Sequence, residues 1–146
     1  MDILKVAAWN SNGLQQRAPE TKAFLYKNNI DVLLASETHF TPKSYIKIPY
    51  YTIYDTKHPL DKAHGGTAVI IKNDIEHHLH SQTNQEHIQA ITVTIQTNDN
   101  YFQISAVYVP QKMGGVFPNL RRQIYSSRRF QRKTHTMGFQ NQHSER

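Results

Sequence analysis

No cysteine occurs among the 146 residues, so disulfides, thiolate nucleophiles and Cys-ligated zinc are excluded at the outset. No apolar run approaches the roughly 20 residues that cross a bilayer. Met1-Asp2-Ile3-Leu4-Lys5 has neither the basic start nor the apolar middle of a secretory signal. These absences predict a soluble intracellular chain without a membrane partner. Acidic residues are scarce in one place only: positions 112–146 hold Glu145 alone against eight Lys and Arg, whereas positions 1–111 hold ten acids against nine bases. The formal charge of +6 therefore comes from the tail, and the first 111 residues carry no excess that would select a polyanion.

What is present reads as one modest domain over residues 1–111. Leu4 to Trp9 has the apolar density of a buried strand and stops at Asn10-Ser11-Asn12-Gly13, a turn composition. Pro19 and Glu20 open a short helix whose apolar face is expected at Ala23, Phe24 and Tyr26-Lys27, closed by Asn28-Asn29. Ile30 to Ala35 is a second buried strand. Strand, helix, strand predicts a parallel pair whose C-termini share one sheet edge, which is where open α/β sheets bind ligands. Tyr50 to Tyr54, Thr67 to Ile71, Ile75 to His80, Ile88 to Gln96 and Tyr101 to Val109 follow as further strands, the last two alternating and joined at Asn98-Asp99-Asn100. After Gln111 the apolar period is lost. Residues 112–146 are a basic, irregular tail unlike the rest.

The expected sheet edge gathers suggestive chemistry. Asn10, Asn12 and Glu37 end neighbouring strands, and an amide beside a carboxylate is half of a hard-metal phosphate site. Each has a plainer reading: Asn10 and Asn12 as turn builders, Glu37 as a solvated acid. Gly65-Gly66 suits close backbone packing. His77, His78, His80 and His87 match no closed zinc spacing and are read as structural or solvated.

In order, Trp9-Asn10-Ser11-Asn12-Gly13-Leu14, Ser36-Glu37-Thr38, Gly65-Gly66-Thr67-Ala68 and Val107-Tyr108-Val109-Pro110 resemble the endonuclease/exonuclease/phosphatase superfamily. Within it they are most similar to the apurinic-endonuclease-like domain of jockey-type non-LTR retrotransposon polyproteins. The resemblance covers residues 3–110. It implies an α/β fold, the N-terminal portion of a four-layer sandwich and hence incomplete, and a Mg²⁺-dependent phosphodiesterase acting on target DNA in the nucleus, where a nick would prime reverse transcription. It also implies roles: Glu37 and Asn10 at the metal, Asn12 at the substrate, and Tyr108, with Asn10, in catalysis at the scissile phosphate. Tyr108 could equally be a core or edge-strand aromatic.

Two family segments do not occur in this sequence: Gly-Asp-Phe/Leu-Asn, whose Asp orients the attacking water, and the final Asp-His pair. Without them hydrolysis is expected to fail. The genetic code suggests where the first went. The last two bases of each codon from Arg128 to Gly138, read with the first base of the next, can spell Gly-Asp-Phe-Asn-Ala-Lys-His-Thr-Gln-Trp-Gly. Met137 before Gly138 compels the Trp. The tail is accordingly expected to be an out-of-frame translation, entered between about Gln111 and Arg121, leaving apolar faces uncovered. Alternatives from other classes are a phosphatase or phosphodiesterase of the same superfamily, a nucleic-acid-binding fragment working through the basic tail, and a translation without function.

Overall fold

The computed structural model describes residues 3–111 and the backbone of residues 136–139. Two sheets and one helix make three layers. The larger sheet has the order β3-β4-β2-β1-β8, from β1 (Leu4–Asn10), β2 (Val32–Ser36), β3 (Tyr51–Thr56), β4 (Thr67–Lys72) and β8 (Thr136–Phe139). The smaller is β5-β6-β7, from β5 (His77–Gln85), β6 (Ile88–Gln96) and β7 (Tyr101–Tyr108). As the sequence predicts, β1 and β2 run parallel, with Asn10 opposite Ser36. The remaining pairings are antiparallel.

Side-chain alternation explains the layering. One face of the large sheet carries Leu4, Val6, Val32, Val69 and Ile71, packed against Ile91, Val93, Ile95, Ile104 and Ala106 of the small sheet. The other face carries Ala7, Leu33, Ala35, Ala68 and Ile70, covered by Leu25 of the helix with Leu14, Ile30, Phe40 and Ile48. A sheet buried on both faces has strands that are apolar throughout, which is why β2 and β4 lack alternation. The small sheet is buried on one face only, so β6 and β7 alternate. Its outer face is polar, with Thr92 Oγ1 2.7 Å from Ser105 Oγ and Gln103 Nε2 3.1 Å from His80 Nδ1.

Helix α1 (Ala18–Lys27) carries Pro19 in its first turn and ends where the Asn28 backbone N–H donates to Phe24 O and Asn29 turns left-handed at φ +50°. Its buried face is Thr21 and Leu25, one turn apart, with Phe24 partly buried, whereas Ala23, Tyr26 and Lys27 are exposed. The expected face was rotated: Leu25 alone contributes about 1.5–3 kcal/mol by burial and fixes the orientation. A 3₁₀ turn (Gln15–Arg17) precedes the helix. The strand expected at Ile75 to His80 begins at His77 and continues to Gln85, with an irregularity between Leu79 and Ser81. Its exposed polar residues leave no apolar period to read. The tail lies outside the described residues except for β8, which pairs antiparallel along β1. The large apolar side chains exposed among the described residues are Ile3, Tyr26, Tyr45, Tyr50, Leu60, Leu79 and Tyr101.

Candidate active site

Because β1 and β2 are parallel and in register to their last residues, both chains leave the sheet together, and they continue to bond after the strands end. Ser11 N donates to Ser36 O at 2.9 Å, Gly13 N to Glu37 O at 2.8 Å and Leu14 N to Thr38 O at 2.9 Å. The Ser11 hydroxyl, fully buried, reaches Ser36 O and Glu37 O at 3.0 and 3.1 Å. On the opposite side Thr38 N and His39 N donate to Gly66 O and Gly65 O. Three segments, 11–14, 36–39 and 65–66, are thus laced into one floor at the sheet edge. The floor is strained. Asn12, Glu37 and His39 have φ of +46°, +52° and +57°, beside Gly13, Gly65 and Gly66 at +101°, +60° and +86°. Left-handed non-glycine residues cost roughly 1–3 kcal/mol each and cluster at functional sites.

The expected site residues fall on or beside this floor. Asn10 ends β1 half-buried, and its Oδ1 accepts the Asn12 N–H at 3.2 Å, so the turn-building reading holds for that oxygen while Nδ2 keeps the donors. Asn12 is exposed. Glu37 is half-buried, and its carboxylate is in no salt bridge among the described residues. Tyr108 is the last residue of β7, 5% exposed, and comes from the other sheet. Its ring lies against Gly65: a Cβ there would stand 3.0 Å from Tyr108 Cε1. The Gly65–Gly66 turn is therefore the piece that brings Tyr108 and the Glu37 segment into one neighbourhood.

Sequence reasoning missed three features. Thr38 Oγ1 is fully buried with no hydrogen-bond partner among the described residues, against Gly66. Gln89 is fully buried and accepts the Gly66 N–H at 3.1 Å. Its position, two residues before the Ile91-Val93-Ile95 face of β6, was the available signal: a polar residue on an apolar stripe. His39, His58 and His64 bring their rings together, centroids 6.5 Å apart for His39–His64 and 5.9 Å for His58–His64. Of the histidines noted in the sequence, His77 serves elsewhere: its Nδ1 lies 2.9 Å from the Tyr54 hydroxyl, joining the two sheets.

The donor set bears on the metal. Among the described residues no three His, Asp or Glu side chains form a metal group. Glu37 supplies one carboxylate, and Asn10's amide oxygen is engaged in its turn. That suits Mg²⁺, which keeps most of its water and needs only one or two carboxylates, and it does not suit a closed zinc or calcium cage. Among the described residues no helix is long and apolar enough to cross a membrane.

No protein-family model matches the sequence. The chain is 36% identical over 107 residues to the RNA-directed DNA polymerase from mobile element jockey of Drosophila melanogaster, covering 73% of this chain and 12% of that one. To its counterpart in Drosophila funebris it is 30% identical over 109 residues, 75% of this chain and 12% of that one. The chain thus spans about an eighth of these relatives. In structure it resembles the AP endonuclease LMAP of Leishmania major (TM-score 0.64, 18% identity, 89% of this chain and 48% of that one). It also resembles the endonuclease domain of TRAS1, a telomere-specific non-LTR retrotransposon (TM-score 0.55, 15% identity, 82% and 53%). The fold is that of the endonuclease/exonuclease/phosphatase superfamily over part of those chains. In sequence the chain is thus similar to the N-terminal endonuclease region of jockey-like non-LTR retrotransposon RNA-directed DNA polymerases.

Proposed function

We propose that residues 3–111 are the metal- and phosphate-facing part of a DNA endonuclease, able to receive a backbone phosphate but not to hydrolyse it alone. What supports this reading is that the segments ending in or following Asn10 and Glu37 are laced to the Gly65–Gly66 turn, with Gly65 against the Tyr108 ring. Glu37 would hold a hydrated Mg²⁺, whose chemistry is to offset charge on the phosphate oxygens. Asn10 Nδ2 and the Asn12 amide would donate to those oxygens without adding charge, and the Tyr108 hydroxyl would do the same from the other sheet. No residue here is assigned as general base, because the Gly-Asp-Phe-Asn and Asp-His segments are absent from the 146 residues.

The frame-shifted reading of codons 128–138 would restore the first segment, so the test compares two proteins. Nicking of supercoiled plasmid is measured with and without Mg²⁺, for the chain as it stands and for a version continued in the alternate frame through the rest of the domain. Nicking by the restored protein alone, abolished by Glu37→Ala, supports both the nuclease reading and the frame. Nicking by the present chain with the same Glu37 dependence would show that its own residues supply the missing groups. A restored protein that never nicks removes the reading.

A further inference from the structure

We infer that Gln89 is a positioning residue for Tyr108, acting through the Gly65–Gly66 turn; the inference rests on the endonuclease reading for its catalytic meaning but not for its geometry. Gln89 and Tyr108 are directly opposite each other where β6 pairs with β7. Both belong to the inward-facing sets of their strands, 89-91-93-95 and 104-106-108, in which Gln89 is fully buried and apolar residues fill the other β6 positions. An amide at such a position is costly unless both ends are bonded. Here both are: Oε1 accepts the Gly66 N–H at 3.1 Å, and Nε2 donates to Gln85 O at 2.5 Å.

The arrangement does more than satisfy Gln89. A Cβ at Gly65 would meet Gln89 Oε1 at 2.5 Å and Tyr108 Cε1 and Cδ1 at 3.0 and 3.2 Å, so the bare Gly65 Cα sits in a notch formed by amide and ring together. One residue on, Gly66 lies against Thr38 Oγ1, and its carbonyl oxygen accepts the Thr38 N–H. The path Gln85–Gln89–Gly66–Thr38 runs from the β5–β6 hairpin of one sheet to the residue after Glu37 in the other. Gln89 thereby sets the height of the glycine turn between the two sheets, and the turn is the surface on which the Tyr108 ring rests. A hydrocarbon of the same length would fill the space but release the Gly66 amide, letting the turn and ring move relative to Glu37.

Gln89→Met keeps length and volume while removing both bonds. In the chain as it stands, Gly66 amide exchange should speed up about tenfold relative to Thr67, as expected for one lost hydrogen bond. The Tyr108 ring resonances, assigned with Tyr108→Phe, should move, and the Trp9 indole resonance on the other core should not. Should Gln89→Met not fold, the unaltered chain decides: Gln89 side-chain amide protons must exchange far more slowly than those of exposed Gln15 and Gln16. In a nicking frame-restored protein, Gln89→Met should lower kcat about tenfold or more with little change in KM, and should add nothing in a Tyr108→Phe background. Unmoved Tyr108 resonances, or a freely exchanging Gln89 amide, would overturn the inference. A restored protein that does not nick would sink the nuclease reading alone, leaving the Gln89 geometry decided by resonance and exchange.

Discussion

Gly66→Ala is the sharpest test of how the site floor is held. At φ +86° an L residue is strained by about 1–2 kcal/mol. The new Cβ would also stand 2.5 Å from Thr38 Oγ1 and 3.0 Å from the Thr56 carbonyl oxygen. The hydroxyl belongs to a short, fully buried side chain and the carbonyl to a strand backbone, so neither moves freely, and forced overpacking of this kind adds about 1–3 kcal/mol. The expected loss is about 2–5 kcal/mol, read as a fall in urea midpoint at unchanged slope. Thr38→Ala in the same background removes the Oγ1 clash but not the backbone strain or the Thr56 contact, so about 1 kcal/mol should return. A Gly66→Ala midpoint within about 0.5 kcal/mol of the parent would refute the claim that strand and turn are in close approach here.

The Thr38 hydroxyl, which has no hydrogen-bond partner among the described residues, predicts that Thr38→Val is neutral or stabilises by up to about 1 kcal/mol, since an isosteric methyl carries no desolvation cost; a loss above about 1 kcal/mol would reveal a partner for Oγ1. The Tyr51 phenol is pushed up to about 12, chiefly by burial and then by the charges of Asp31, Tyr26 and Asp74, while its hydroxyl donates to Ile30 O at 2.6 Å. The fold favours the neutral phenol, so its contribution is intact below pH 10 and lost as pH rises toward 12. Urea midpoints at pH 8.5 and 11 should therefore converge in Tyr51→Phe, and an undiminished alkaline drop in that variant would contradict the assignment. Burial, then His78, lowers the His77 pKa, so its contribution is present above about pH 6.5 and declines as pH falls. His77→Gln should flatten the decline between pH 7.5 and 5, and an unchanged slope would argue against it. Leu25→Ala, which empties the helix–sheet contact, should cost about 2–5 kcal/mol by thermal or urea unfolding; a value below 1 would mean the helix is anchored elsewhere.

What the sequence made legible follows from which physical signals are local. The β1–β2 pair and its shared edge could be read because apolar density, a helix of the right length between, and Asn-rich stops are all local features. The α1 face could not: in a ten-residue helix Ala23, Phe24 and Tyr26 look apolar, and only the position of the sheet decides that Thr21 and Leu25 turn inward. The outer half of β5 was hidden because His78 to Gln82 are exposed and make no apolar pattern. Asn10, Asn12 and Glu37 were named from residue type at strand ends and Tyr108 from the family resemblance, and the fold puts their segments together. Thr38 and Gln89 were passed over because their significance lies in contacts with glycines twenty or more residues away, which leave no mark on periodicity.

The floor explains how a site can be presented without being completed. Every bond in it joins segments between residues 10 and 89, and the three laced segments sit above a core that the described residues bury on both faces of the large sheet. The bonds that hold the Glu37 segment to the glycine turn are therefore made within this chain, apart from the Gly-Asp-Phe-Asn and Asp-His segments that its sequence lacks. On the proposed reading, phosphate contact and hydrolysis would be separable properties: the first set by strand ends whose conformation is strained yet bonded on both sides, the second by groups from elsewhere in the domain. Strain of this kind persists only where surrounding bonds over-determine it. The left-handed Glu37 meets that condition, because its carbonyl accepts from Gly13 N and Ser11 Oγ while Thr38 and His39 are tied to Gly66 and Gly65.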